Sequence, residues 1–288
     1  MKKFIYAIFI AFCLCGCTPK QEFNIVATTL PVYTFTQRLC EGTDLQVGRL
    51  ITENVSCLHD YTLKVNQMQM LEHADAVVKN GAGLEDFLED ALHTKTVQID
   101  AAHGLSLLEG PHEEHEHHDG HVHEEDPHIW LSPENAAVMA ENIYNGLCSL
   151  YPTNTQSFQR NLETLLSDLN RLQEYGENEL KDLRSRELIT FHDGFSYLAE
   201  SFDLTILKAV EEESGSEASA KQLISLISLV REYQLPAIFT ETNGSVSAAS
   251  IVAVETGISI YTLDMVMAGN DYFEAMYRNI DTLKEALQ

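Results

Sequence analysis

From residue 154 to residue 183 the chain runs without proline and with one glycine, Gly176. Within it Phe158, Leu162, Leu165, Leu169 and Leu172 step by four, three, four and three, the spacing that lines up one apolar stripe on a helix. A helix of that extent spans about 45 Å. A coiled-coil pair could use the same stripe, but little more than two heptads is shorter than coiled coils sustain. The spacing therefore predicts a single long helix within a monomer, with Pro152 and Asn154 marking its start. Whatever folds on either side must be organised around that rod.

On both sides short β-branched runs alternate with helical patterns. Before the rod, strands are expected at 24–28, 45–51, 76–80 and 96–100, with helices at 32–40, 62–73 and 84–93 between them. After it, strands are expected at 188–191, 205–210, 237–240 and 259–263, with helices near 194–201, 218–233, 245–256 and 271–287. This alternation argues for βαβ units around a parallel sheet. The expected fold class is α/β: two lobes, each a parallel sheet flanked by helices, joined by one long rigid helix. The boundaries read as an N-terminal lobe over 18–152, a linker helix over 153–184 and a C-terminal lobe over 185–288.

The first seventeen residues form a separate segment. Met1-Lys2-Lys3 precedes an apolar run from Phe4 to Cys15, too short for a bilayer span of about 20 residues and suited to a secretory signal. Leu14-Cys15-Gly16-Cys17 resembles a bacterial lipobox, which makes Cys17 the expected lipid attachment site and the membrane a partner through that lipid. An ordinary cleaved signal is the alternative. The remaining cysteines, Cys40, Cys57 and Cys148, are odd in number and imply no disulfide framework.

With 18 basic and 44 acidic side chains the net charge is −26. Nucleic acid is excluded as a partner, because a polyanion requires clustered Lys and Arg; a cation is the better fit. Six of the twelve histidines, His112, His115, His117, His118, His121 and His123, crowd into one low-complexity stretch within 111–124. Nothing there can build a core, and imidazoles at such density bind transition metals loosely.

Four other positions stand at turn or strand-end signals: His59 in Leu58-His59-Asp60, His128 in Asp126-Pro127-His128, His192 in Phe191-His192-Asp193, and Asp264 in Leu263-Asp264. Ligand crevices of open α/β sheets lie at the carboxyl ends of strands. Two such edges facing each other would gather three imidazoles and a carboxylate, a set that suits tetrahedral Zn²⁺. Taken singly, each is as well explained as a capping or core residue. Glu241, at another strand end, is a candidate for orienting His192 from behind, or a solvent-facing carboxylate. The chain contains no H-E-x-x-H and no P-loop motif.

Taken in order, these segments resemble a known family. His59-Asp60-Tyr61, Ala74-Asp75-Ala76-Val77-Val78-Lys79-Asn80-Gly81-Ala82-Gly83-Leu84-Glu85, Asp126-Pro127-His128-Ile129-Trp130-Leu131-Ser132-Pro133, Phe191-His192-Asp193-Gly194-Phe195, Phe239-Thr240-Glu241, Glu255-Thr256-Gly257 and Leu263-Asp264 follow one another as in the zinc/manganese-binding solute-binding proteins of ABC transporters, cluster A-I. The resemblance runs from about residue 23 to 288. It implies two α/β lobes on one long helix, with His59, His128, His192 and Asp264 as metal ligands. It also implies Zn²⁺ as cargo, an ABC permease with its ATPase as partners, an extracytoplasmic lipid-anchored location, and no enzymatic activity. Manganese-type members carry Glu at the third position, where this chain has His192, and imidazole favours Zn²⁺. Met265 replaces the proline common after the final Asp, Ser-Cys-Leu precedes His59, and the second-lobe cysteine pair of some zinc-type members is missing. Alternatives are carriage of Mn²⁺ or another divalent metal, a surface zinc metalloenzyme, and an adhesin or metal-sequestering surface protein.

Overall fold

The computed structural model describes residues 23–53, 55, 58, 61–89, 91–92, 96–110, 125–210 and 218–288. Four short parallel strands make the first sheet: β1 (Ile25–Ala27), β2 (Val47–Arg49), β3 (Ala76–Lys79) and β4 (Val97–Asp100), in the order β2-β1-β3-β4. The second sheet repeats the plan with β5 (Glu187–Phe191), β6 (Thr205–Ala209), β7 (Ala237–Glu241) and β8 (Ser259–Leu263), in the order β6-β5-β7-β8, again all parallel. The central strands are buried on both faces, and parallel strands so placed read as mainly apolar runs; Ile-Val-Ala in β1 fits throughout, and Ala-Ile-Phe in β7 fits until Thr240 and Glu241 bring buried polar groups to its carboxyl end.

Helices α1 (Leu30–Leu39), α2 (Val65–His73) and α3 (Pro133–Leu150) flank the first sheet, and α5 (Ser196–Ser201), α6 (Ala220–Tyr233), α7 (Ser247–Thr256) and α8 (Tyr272–Leu287) the second. The expected rod is α4 (Thr155–Glu179), 25 residues or about 37 Å long, shorter than expected because a 3-10 turn at Pro152–Asn154 precedes it and the chain leaves the helix at Leu180. Its buried positions are the predicted stripe, Phe158, Leu162, Leu165, Leu169 and Leu172, extended by Gly176, where a Cβ would run into the Phe202 ring at 2.2 Å.

The first half of α4 serves the N-terminal lobe: Asn161 Nδ2 donates to the Leu39 carbonyl at 2.8 Å, and Arg38 pairs with Asp168. The second half serves the other lobe, where Tyr175 Oη donates to Asp281 at 2.6 Å and Lys284 pairs with Glu179. A single apolar core joins the lobes, running from Ile25, Phe35 and Trp130 through Leu165 to Phe195, Tyr272 and Leu283. A smaller core of Ile189, Leu226, Val230, Ile238 and Val252 lies on the other side of the second sheet. Among the described residues no helix is long and apolar enough to cross a membrane, and Cys40 and Cys148 are free thiols.

Two elements depart from the sequence pattern. The helix expected over 84–93 is, among its described residues, a 3-10 turn at Asp86–Leu88 with further turns. Gly81, Ala82 and Gly83 all take positive φ, and Glu85 turns inward to accept the Asn80 and Gly81 N–H groups, so no regular helix can start there. Helix α3 has no counterpart among the expected elements; Ser132 caps it by accepting Asn135 N–H and Pro133 opens it.

Candidate metal centre

The segment carrying His128 is held from several sides. Ile129, Trp130 and Leu131 form a 3-10 turn buried in the core. Trp130 Nε1 donates to the Met265 carbonyl of the other lobe at 2.8 Å, and Tyr272 Oη donates to the Trp130 carbonyl at 2.7 Å. Tyr197 Oη donates to the Asp126 carbonyl at 3.0 Å, and Asn80 Nδ2 to the Pro127 carbonyl at 3.1 Å. Strand-end residues of the first sheet and helices of the second thus fix one short stretch between them.

Within it Asp126 Oδ1 accepts the His128 backbone N–H at 2.9 Å and lies 2.7 Å from Nδ1. A carboxylate can only accept, so Nδ1–H donates to it, and the neutral form of the ring presents its lone pair at Nε2. His192 follows β5 directly. The β5–β7 register, Phe191 opposite Thr240, sets His192 opposite Glu241, whose Oε2 is 3.6 Å from His192 Nδ1. The two imidazoles lie 5.7 Å apart between ring centroids, at 84°. Gly194 permits this approach: a Cβ there would stand 2.9 Å from His192 Cδ2, 3.0 Å from His128 Cε1 and 2.6 Å from Met265 Cε.

Asp264 follows β8 on the neighbouring wall. Asn279 of α8 clamps its backbone, accepting the Asp264 N–H at 2.8 Å and donating to its carbonyl at 2.7 Å. Its Oδ1 accepts Val266 N–H at 2.7 Å, and its Oδ2 faces Arg278 Nη2 at 3.7 Å. Val266 itself sits at φ +59°, a left-handed conformation that a β-branched side chain adopts only under constraint. A cavity of about 70 Å³ between the walls is lined by Glu241, Thr242, Asp264, Met265 and Met267, with Val55 from the first lobe.

The structure therefore brings His128, His192 and Glu241 together, and Asp264 shares a pocket with Glu241 that neither imidazole lines. His59 lies outside the described residues, as do Cys17 and the six histidines of the 111–124 stretch. Among the described residues no group of three or more His, Cys, Asp or Glu side chains is placed to hold a metal ion. The residues flanking the histidine-rich stretch come together beside His128: Glu109 and Glu125 form an antiparallel bridge, and Asp126 N–H donates to the Leu108 carbonyl at 2.9 Å. Sequence reasoning gave no role to Asp126, Gly194, Arg278 or Asn279. Asp126, two residues before His128, was the one within reach of a local signal. Asp193 is a further acid at this edge, its carboxyl pushed above the ordinary range by burial and by the nearby Asp126 charge.

Chemically the arrangement offers imidazole nitrogens backed by carboxylates, the usual setting of histidines that bind zinc. Comparison with known proteins points the same way. A family model described as zinc-uptake complex component A, periplasmic (ZnuA), matches residues 25–286. The zinc-binding protein AdcA of Streptococcus pyogenes serotype M3 is 30 % identical over 290 residues, covering 92 % of this chain and 56 % of that protein. The chain thus spans little more than half the length of curated relatives of this kind. A crystal structure of ZnuA superposes with a TM-score of 0.80 at 28 % identity, covering 93 % of this chain and all of that one. The Zn(II)-bound ZnuA-like domain of Streptococcus pneumoniae AdcA gives 0.77 at 26 % identity, covering 93 % and 99 %. Both lobes, the rod between them and the histidine edge fall within the matched span, and the chain belongs to the ZnuA family, component A of zinc-uptake complexes.

Proposed function

We propose that this chain captures Zn²⁺ outside the cytoplasm and delivers it to an ABC permease driven by its ATPase. The observation that carries the reading is the convergence of His128 and His192, each with a carboxylate on its Nδ1 side, where two sheet edges meet. His59, His128, His192 and Asp264 are the ligand set. Three imidazoles and one carboxylate favour Zn²⁺ over Mn²⁺, which prefers more oxygen donors, and zinc is what AdcA is named for. Glu241 orients His192. The histidine-rich stretch collects the ion close to the cleft, since its described stems end beside Asp126. Cys17 anchors the mature chain to the membrane as a monomer, and the protein is a carrier, not an enzyme.

Native mass spectrometry after competition between Zn²⁺ and Mn²⁺ tests the cargo, with one tightly held zinc expected and bound manganese contrary to the reading. His192→Ala tests the ligand set. Its tight zinc site should disappear while weak binding by the histidine-rich stretch persists; an unchanged tight site would remove His192 from the set.

A further inference from the structure

Arg278 faces the carboxylate that the reading above gives to the metal. Of the two Asp264 oxygens, Oδ1 accepts Val266 N–H, while Oδ2 accepts no hydrogen bond from the described backbone around it and is the more open to a cation. Arg278 Nη2 stands 3.7 Å from that same oxygen. The guanidinium is steadied one helical turn back, where Nη1 donates to Glu274 Oε1 at 2.9 Å. Its chain neighbour Asn279 clamps the Asp264 backbone, so a single turn of α8 sets both the position of the aspartate and the approach of the arginine.

We propose that Arg278 is an affinity-setting residue, a fixed positive charge that competes with zinc for Asp264 and hastens its release. The inference rests on Asp264 being a ligand. In a chain whose charge of −26 draws cations in, a guanidinium at this carboxylate works in the opposite direction. A carrier needs such a counterweight, because an ion held too tightly is never handed over. With a zinc–oxygen bond of about 2.1 Å, the ion would lie within about 6 Å of the guanidinium, and at that range a double and a single charge in a water-like dielectric shift a binding constant about tenfold. Arg278 is largely exposed, so its replacement leaves the core intact.

The test measures Zn²⁺ affinity by chelator competition, and release by chelator chase, on the full chain. Arg278→Gln should bind zinc about tenfold more tightly, chiefly through slower release. Arg278→Lys should stay near the parent, and the gap between parent and Gln variant should shrink at about 1 M salt, where the Debye length falls to about 3 Å. Arg160→Gln on α4, an equal loss of charge elsewhere, should change affinity less than twofold. An Arg278→Gln chain that binds and releases zinc like the parent, or more weakly, overturns the proposal, as does an equal gain from Arg160→Gln. Asp264→Asn separates the two readings. If it leaves tight binding intact, the ligand assignment itself fails; if it weakens binding while Arg278→Gln brings no gain, the arginine proposal alone fails.

Discussion

Glu85 is 5 % exposed, yet its carboxyl meets three donors: Oε1 accepts Thr28 Oγ1–H at 2.6 Å and Asn80 N–H at 2.7 Å, and Oε2 accepts Gly81 N–H at 3.0 Å. Burial wins over these bonds and pushes the carboxyl from its ordinary 4.5 up to about 7. The folded chain then keeps a proton that the unfolded chain releases between those two values, so stability falls as pH rises across that window. Integrated from below pH 4.5 to above pH 7, the loss amounts to ~3 kcal/mol. Glu85→Gln cannot titrate. It keeps an acceptor for Asn80 and Thr28 but turns an amide N–H₂ toward Gly81 N–H, at a roughly pH-independent cost of about 1–3 kcal/mol. The parent's advantage over the variant should therefore shrink by ~3 kcal/mol between pH 4.5 and 7.5. Trp130 is the single tryptophan and fully buried, so urea unfolding followed by its fluorescence, in the presence of a chelator, reads both chains directly. Parallel stability curves would refute the reasoning, and a parent that gains on the variant as pH rises would show that the three donors outweigh burial.

Other changes test the site and the rod. Asp126→Ala removes the acceptor of His128 Nδ1 and of the His128 backbone N–H; zinc affinity by chelator competition should fall about 10–100-fold with the far-ultraviolet dichroism unchanged, and full affinity would dismiss the tautomer argument. Leu165→Ala empties a fully buried position in the α4 stripe; chemical denaturation should show a loss of about 2–5 kcal/mol in one transition sensed by both lobes, and a loss confined to one lobe would contradict the continuous core.

Much of the fold was legible because it is written in local periods. The stripe from Phe158 to Leu172 is the buried face of α4, and the β-branched runs became the eight strands among the described residues, five of them shortened, β5 and β7 one residue longer and β8 as expected. The failures have local causes too. At 84–93 an apolar pattern resembling a helix is overridden by Glu85, which turns back to Asn80 and Gly81 and commits the chain to tight turns. In α3 the local signals are present, with Ser132 and Pro133 ahead of buried Ala136, Met139, Ile143 and Leu147, a helix start that directly follows the His128 motif. At the site, His128 and His192 could be picked out by their place beside turns and strand ends. The contacts that make them neighbours could not, because Gly194 against both rings, Glu241 opposite His192 and α8 gripping Asp264 all depend on strand register and on which helix packs where.

The uninterrupted interior also bears on how the two halves can move. Arg49 Nη1 reaches the Gly269 carbonyl at 2.7 Å, Phe35 meets Tyr272 edge-on at 4.9 Å, and Arg38 lies over the Phe273 ring, so the halves are bolted together through α1 and α8 and the loop before α8. Swinging them apart would tear aromatic side chains out of a packed medium that resists deformation. Movement at the edge that carries Asp264 and His192 is then left to the short segments bearing those residues, in the manner of a sprung contact in a fixed socket.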